Sequence, residues 1–212
     1  MQFRHYLAAF VLVVIPHFAT AQKFPEKPIR LIVPFPAGGP MDIIVRPFAP
    51  RFADAVGQHV VVDNRAGAGG VIGANIVAKA PADGYTLLWG SAGPIAINAS
   101  LYRDLPYNPV KDFAPVAQTA ATQMVMVLNP GVPPQSVKEL IVYAKARSGQ
   151  INYASPGNGS SPHLAMELFK SMAGVNLQHV PYKGGPPAMT DLLAGRAALM
   201  FITISAAAPH VS

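Results

Sequence analysis

Two loops carry residue types that could hold an anion. The first, Pro34-Phe35-Pro36-Ala37-Gly38-Gly39-Pro40-Met41-Asp42, follows the apolar run Ile29-Arg30-Leu31-Ile32-Val33. A strand should end there, a glycine turn follow, and a helix begin at Pro40, whose fixed φ suits a first helical position. Glycines let the backbone turn tightly and approach a ligand, while the first helical N–H groups stay unpaired and point outward. Such a place attracts carboxylates or phosphates. It holds no nucleophile, metal ligand or Walker lysine. Its chemistry is to hold an anion, not to transform one.

The second loop, Ser155-Pro156-Gly157-Asn158-Gly159-Ser160-Ser161-Pro162, follows the short strand-like run Ile151–Ala154. Ser161 is the expected N-cap, with Pro162 at the first helical position. Serine hydroxyls, the Asn158 amide and free N–H groups again suit a carboxylate. An ordinary strand-to-helix turn would explain either loop alone. Two of them, one on each half of the chain, favour a ligand held between two lobes.

The elements that position these loops alternate. Strand patterns at Ile29–Phe35, Val60–Val62, Thr86–Trp89, Met124–Leu128, Asn152–Ala154, Gln178–Val180 and Ala197–Ile202 are interleaved with helical stretches. Those stretches lie near Met41–Val56, Val71–Lys79, Ile95–Leu101, Ser136–Arg147, Pro162–Ala173 and Pro186–Leu193. Ser136 and Glu139 fit a capping box, and Gly57 and Gly149 stop helices. Tyr102–Pro115 reads as an extended connection. This alternation predicts an α/β fold with a largely parallel sheet, whose ligands collect at the carboxyl ends of strands, where both anion loops lie.

Composition narrows the function classes. Met1-Gln2-Phe3-Arg4-His5, the apolar stretch Tyr6–Ile15 and Ala19-Thr20-Ala21 together predict a secretory signal peptide over 1–21. There is no cysteine, which excludes disulfides and thiolate chemistry and fits a bacterial periplasm. The net charge is +6, but its basic residues are scattered. A nucleic-acid binder would cluster them, so mild attraction for anions is the better reading. The 22 prolines punctuate loops, as in a globular chain.

Other motifs carry less. Gly67-Ala68-Gly69-Gly70-Val71-Ile72-Gly73 misses the dinucleotide spacing and is followed by no acidic residue at the end of the next strand, so a tight packing turn is preferred. His59, His163, His179 and His210 have no metal-ligand spacing. His163 stands near the second loop, able to touch a ligand or simply to pack. Gly90-Ser91-Ala92-Gly93 is one residue short of a nucleophile elbow. Asp42 sits where a helix dipole favours it with or without a ligand.

Taken together, these segments resemble the Bug family, the extracytoplasmic solute receptors of tripartite tricarboxylate transporters. The resemblance runs through Phe24–Gly39, Val60–Gly70, Ala82–Leu88, Pro109–Val116, Asn152–Ser161 and His179–Gly184. It implies a periplasmic-binding-protein-like (type II) α/β fold of two lobes with mainly parallel sheets. A small carboxylate would lie between them, held by Phe35, Ala37, Gly38, Gly39 and Asp42 from the first loop. Ser91 and Gly93 would belong to a third loop, Ser155, Asn158, Ser160 and Ser161 to the opposing lobe, and Tyr182 to a wall. The expected lobes are 22–123 and 124–212, in a periplasmic monomer serving membrane transporter subunits. No catalytic residue, metal, cofactor or nucleic-acid partner is expected.

Three departures from the family pattern stand out. Ala66 replaces a usual proline. Ile202-Thr203 stands where many members have an acidic residue and asparagine, which bears on distal ligand contacts. The chain stops at Pro209-His210-Val211-Ser212, where the family continues for roughly another third. The expectation is therefore a fold incomplete at the C-terminus, from a fragment or truncated copy, with exposed sheet edges and weakened binding. The competing class is an exported hydrolase of carboxylates or esters with Ser91 or Ser160 as nucleophile, which needs a base within reach. A vestigial product without function is the third.

Overall fold

The computed structural model describes residues 23–211, so the expected signal peptide lies outside the described residues. Strand β1 (Ile29–Val33) is central in a three-stranded parallel sheet, between β2 (Val60–Asn64) and β3 (Thr86–Leu88). Its continuous apolar run is what burial on both faces demands, and Ile29, Leu31, Ile32 and Val33 are all buried. Arg30 is the exception, its Nε donating to Asp63 Oδ2 on β2 at 2.7 Å.

Helix α1 (Pro40–Val56) packs on this sheet through Val45 and Phe48, against Leu31, Val33 and Trp89. Gly57, in the left-handed region at φ 69°, ends it with its N–H donating to Ala53 O. After β2 comes a 3₁₀ turn at Ala68–Gly70, then α2 (Val71–Ala78). A methyl on Gly73 would lie 2.7 Å from Pro34 Cα. The glycine run is thus a packing turn. After β3, a π-helical turn (Gly93–Ile97) leads into the short α3 (Asn98–Leu101).

No strand or helix interrupts 102–123. Tyr107 anchors this connection, its hydroxyl donating to Pro94 O at 2.7 Å. The second sheet has the order β4 (Met124–Leu128), β7 (Leu199–Thr203), β5 (Asn152–Ser155), β6 (Gln178–Pro181). β5 runs parallel to β6 and β7, but β4 runs antiparallel to β7, so this sheet is mixed. Helices α4 (Val137–Ala146) and α5 (Ser161–Ala173) bury Leu140 and Met166 in a core with Tyr153 and Leu199. Helix α6 (Gly185–Leu193) places Met189 and Leu192 in a second core with Met200 and Ile202. The chain closes through α7 (Ile204–Ala207) and a 3₁₀ turn.

Two local expectations are corrected. Ser136 caps α4 as foreseen, accepting from Glu139 N–H, but the Glu139 carboxylate reaches Gln135 N–H rather than Ser136. The N-cap of α5 is Ser160, not Ser161: its hydroxyl accepts from His163 N–H. Ser161 already lies inside the helix, because the first turn extends one residue ahead of the expected start.

Candidate functional site

Four helical segments begin at one place. α1 starts after Gly39, the π-turn after Ala92, α5 after Ser160 and α6 after Gly184. Each carries a proline at its first or second position: Pro40, Pro94, Pro162 and Pro186. Proline fixes the entry direction and removes a donor that no helical carbonyl could have served. The donors left over are the outward N–H groups that bind anions.

These termini border a cleft of about 370 Å³ between the sheets. The first lobe contributes Phe35, Gly39, Met41, Ile44, Trp89 and the turn from Gly90 to Gly93. The second contributes Pro156, Ser160, Ser161, Pro162, Gly185 and Thr203, and the connecting segment supplies Thr119, Ala120 and Thr122. The lobes meet closely here. A methyl on Gly93 would lie 3.2 Å from the Gly159 carbonyl, and one on Gly185 would lie 2.9 Å from Pro40 Cδ.

Of the residues singled out in the sequence, Phe35, Gly39, Ser91, Gly93, Ser160 and Ser161 line this cleft together. The others lie around it. Ala37 and Gly38 are exposed at the loop tip. Asp42 is 2 % exposed and faces inward. Its carboxylate accepts from Gly38 N–H at 2.9 Å, Arg46 Nε at 2.6 Å and Asn64 Nδ2 at 3.0 Å. Burial alone would raise its pKa, but the bonds from Arg46, Gly38 and Asn64 hold it below the usual carboxylate range. Because Asn64 also donates to Phe35 O, Asp42 and Asn64 together shape the first loop from behind.

The second loop has a comparable underpinning. Ser155 is fully buried, its hydroxyl 2.6 Å from His179 Nε2 and accepting from Gly157 N–H. Asn158 is exposed at the tip, its carbonyl against Gly69 of the other lobe. Tyr182 donates to Asp191 Oδ2 at 2.7 Å. The Ser160 hydroxyl donates to Gly157 O at 2.7 Å. The serine paired with a histidine is therefore Ser155 beneath the loop, not Ser91 or Ser160 in the cleft. Among the described residues no cluster of His, Asp or Glu could hold a metal ion.

Sequence reasoning missed Gly185 and the apolar wall of Met41, Ile44 and Trp89, while Thr203, marked in the sequence as bearing on distal ligand contacts, lines the cleft. The repeated proline at helix starts was the available signal for Gly185. His179 had none, because its contact with Ser155 comes from the register of β5 and β6, in which Tyr153 faces His179.

Residues 44–212 match the family model described as "Tripartite tricarboxylate transporter family receptor". Protein BugT of Bordetella pertussis is 42% identical over 193 residues, covering 91% of this chain and 59% of its own. A solved R. palustris protein with adipate superposes with a TM-score of 0.85 at 41% identity, over 88% of this chain and 62% of its own. MatC from Rhodopseudomonas palustris with bound malate gives 0.83 at 32%, over 88% and 63%. The chain spans about three-fifths of the length of these relatives.

Proposed function

Because the chain belongs to the tripartite tricarboxylate transporter receptor family, we propose that it is a periplasmic solute receptor. Its two lobes, 22–123 and 124–212, close on a small carboxylate and present it to membrane transporter subunits. The observation that carries this reading is the convergence of four helix N-termini on one cleft. Each terminus favours an anion by roughly 0.3–1 kcal/mol, more where water is excluded. Charge-assisted bonds to N–H and hydroxyl donors add to that. Micromolar affinity needs only about −8 kcal/mol. The adipate and malate complexes of related proteins support a carboxylate as the ligand class.

The role is capture without turnover. Nucleophilic attack by a cleft serine needs a base within hydrogen-bond reach, yet the Ser160 hydroxyl is spent on a backbone carbonyl. Export follows from the expected signal peptide and from the family.

A thermal-shift panel of mono-, di- and tricarboxylates, with matched amides as uncharged controls, tests the reading. One class of acid should raise the unfolding temperature while its amide does not, and no acid should be consumed. A transition moved by no acid, or acid turnover abolished by Ser91→Ala or Ser160→Ala, would overturn it.

A further inference from the structure

The loop from Ser155 to Ser161 serves both the cleft and the contact between lobes. Ser160 and Ser161 line the cleft, while Gly159, buried beside them, meets the opposing lobe. Its carbonyl would lie 3.2 Å from a methyl on Gly93, and a methyl on Gly159 itself would meet Asn98 Oδ1 and Leu101 Cδ2. His163 holds this loop twice. Its backbone N–H donates to the Ser160 hydroxyl, and its ring folds back so that Nδ1 accepts from Gly159 N–H at 3.3 Å. The ring itself does not line the cleft. It rests face to face on His179, centroids 4.3 Å apart, and Tyr153 stacks on the other face of His179 at 4.7 Å. Tyr153 is fully buried in the core with Leu140 and Met166, so the stack anchors the loop in the second lobe.

We propose that His163 is a positioning residue for carboxylate capture: its unprotonated Nδ1 fixes the place of Gly159, and capture weakens when that nitrogen takes a proton. This rests on the carboxylate reading above and adds its control by pH. A proton on Nδ1 turns the acceptor into a second donor facing Gly159 N–H, and a buried N–H left without a partner is costly. The loop must then shift to find water or another acceptor, and Ser160, Ser161 and the contact with Gly93 shift with it. The groups facing the two rings are Tyr153 from β5 and Glu167 and Lys170 from α5, while Asn98 and Leu101 across the seam carry no charge. Burial holds the His163 pKa below its ordinary value, with Glu167 pulling it up and Lys170 pushing it down. The ring is therefore neutral at about pH 7.5 and takes its proton below about pH 6.5. A carboxylate in the cleft would by charge alone favour that proton. The sign of the pH response thus separates a ring that holds the loop from one that acts as a cation toward the ligand.

The test is calorimetric titration of the full chain, His163→Asn and His163→Phe with hexanoate, adipate and citrate at about pH 7.5 and about pH 5. His163→Asn offers Gly159 N–H an acceptor that does not titrate, and it shares with the parent any protonation of the acid itself. On acidification the parent should lose at least about fivefold more affinity than His163→Asn. His163→Phe keeps a ring in the stack without the acceptor, and should bind about fivefold more weakly than the parent already at about pH 7.5. In the parent alone, NMR should show the Gly159 amide and the His163 ring titrating together. An acid response equal in parent and His163→Asn, affinity that rises on acidification in the parent alone, or a Gly159 amide unmoved as the ring titrates overturns the inference and leaves the carboxylate reading standing. Binding of none of the three acids at either pH overturns the carboxylate reading and this inference with it.

Discussion

The imidazole rings of His163 and His179 lie face to face, centroids 4.3 Å apart and 19° from parallel, beneath the loop between β5 and α5. His163 Nδ1 accepts from Gly159 N–H at 3.3 Å, while His179 Nε2 meets the Ser155 hydroxyl. That hydroxyl also accepts from Gly157 N–H, and the direction of its bond with Nε2 follows the tautomer of His179. His163 holds the loop only while its Nδ1 carries no proton. Tyr153 stacks on the far face of His179, and Glu167 binds both the Tyr153 hydroxyl and Lys170.

This pair makes stability depend on pH. Burial, then the neighbouring His163, push the His179 pKa down to about 4, and burial lowers that of His163. Lys170 pushes both the same way, against the opposing pull of Glu167. In the unfolded chain both return to about 6.5. Between about pH 6.5 and pH 4 the unfolded chain binds more protons, so stability falls as pH falls through that window. Allowing for solvent screening, the loss is on the order of 1 kcal/mol, or about 3 °C in Tm. His179→Phe keeps a ring in the stack but cannot titrate. Thermal unfolding followed against pH should show a shallower acid decline in that variant.

Asp42 acts from behind the ligand loop. Asp42→Ala leaves the Gly38 N–H and Asn64 amide without their shared acceptor, and should cost about 3 kcal/mol, or about 6–12 °C in Tm. Asp42→Asn keeps the shape and loses the Arg46 charge pair, and should cost less. Denaturant titration of both variants beside the parent chain checks this order.

The N-cap assignment separates two adjacent serines. Ser160→Ala removes the acceptor for His163 N–H and the donor to Gly157 O, and should cost about 1 kcal/mol. Ser161→Ala lies within the first helical turn and should change stability by less than about 0.5 kcal/mol. Their melting curves distinguish the two positions directly.

Contact between the lobes depends on glycine. A methyl on Gly69, at φ 61°, would lie 2.3 Å from the backbone carbonyl oxygen of Asn158 in the other lobe, which no side-chain rotation can relieve. Gly57, at φ 69°, has nothing within 4 Å of the same position. Gly69→Ala and Gly57→Ala therefore share a backbone strain of roughly 1–3 kcal/mol, but only the first wedges the lobes apart. Carboxylate affinity should fall at least about tenfold in Gly69→Ala and stay unchanged in Gly57→Ala. Small-angle scattering should show a larger radius of gyration for Gly69→Ala alone.

Local rules made most of the fold legible. Apolar β-branched runs marked β1, β2 and β4, and glycine marked the end of α1, because strand and helix boundaries follow from nearby residues. The antiparallel course of β4 was not legible, since its partner β7 lies some seventy residues away and nothing in Met124–Leu128 encodes direction. The candidate site divided along the same line. Phe35, Gly39, Ser91 and Ser160 were visible as loop chemistry at strand ends. The Trp89–Ile44–Met41 wall was not, because an apolar side chain at a strand end and two on a helix look alike whether they face core or cleft. Asn64 and His179 act through tertiary contacts to Asp42 and Ser155, which sequence spacing does not reveal.

The most direct test of the central claim follows the backbone amides of the isotopically labelled chain by NMR during titration with hexanoate. If four helix N-termini hold the carboxylate, the N–H signals of Met41, Gly93, Ser161 and Gly185 should move downfield along one binding curve. Hexanamide should leave them in place. Saturable binding of hexanoate that moves other amides and leaves those four unshifted would contradict the account.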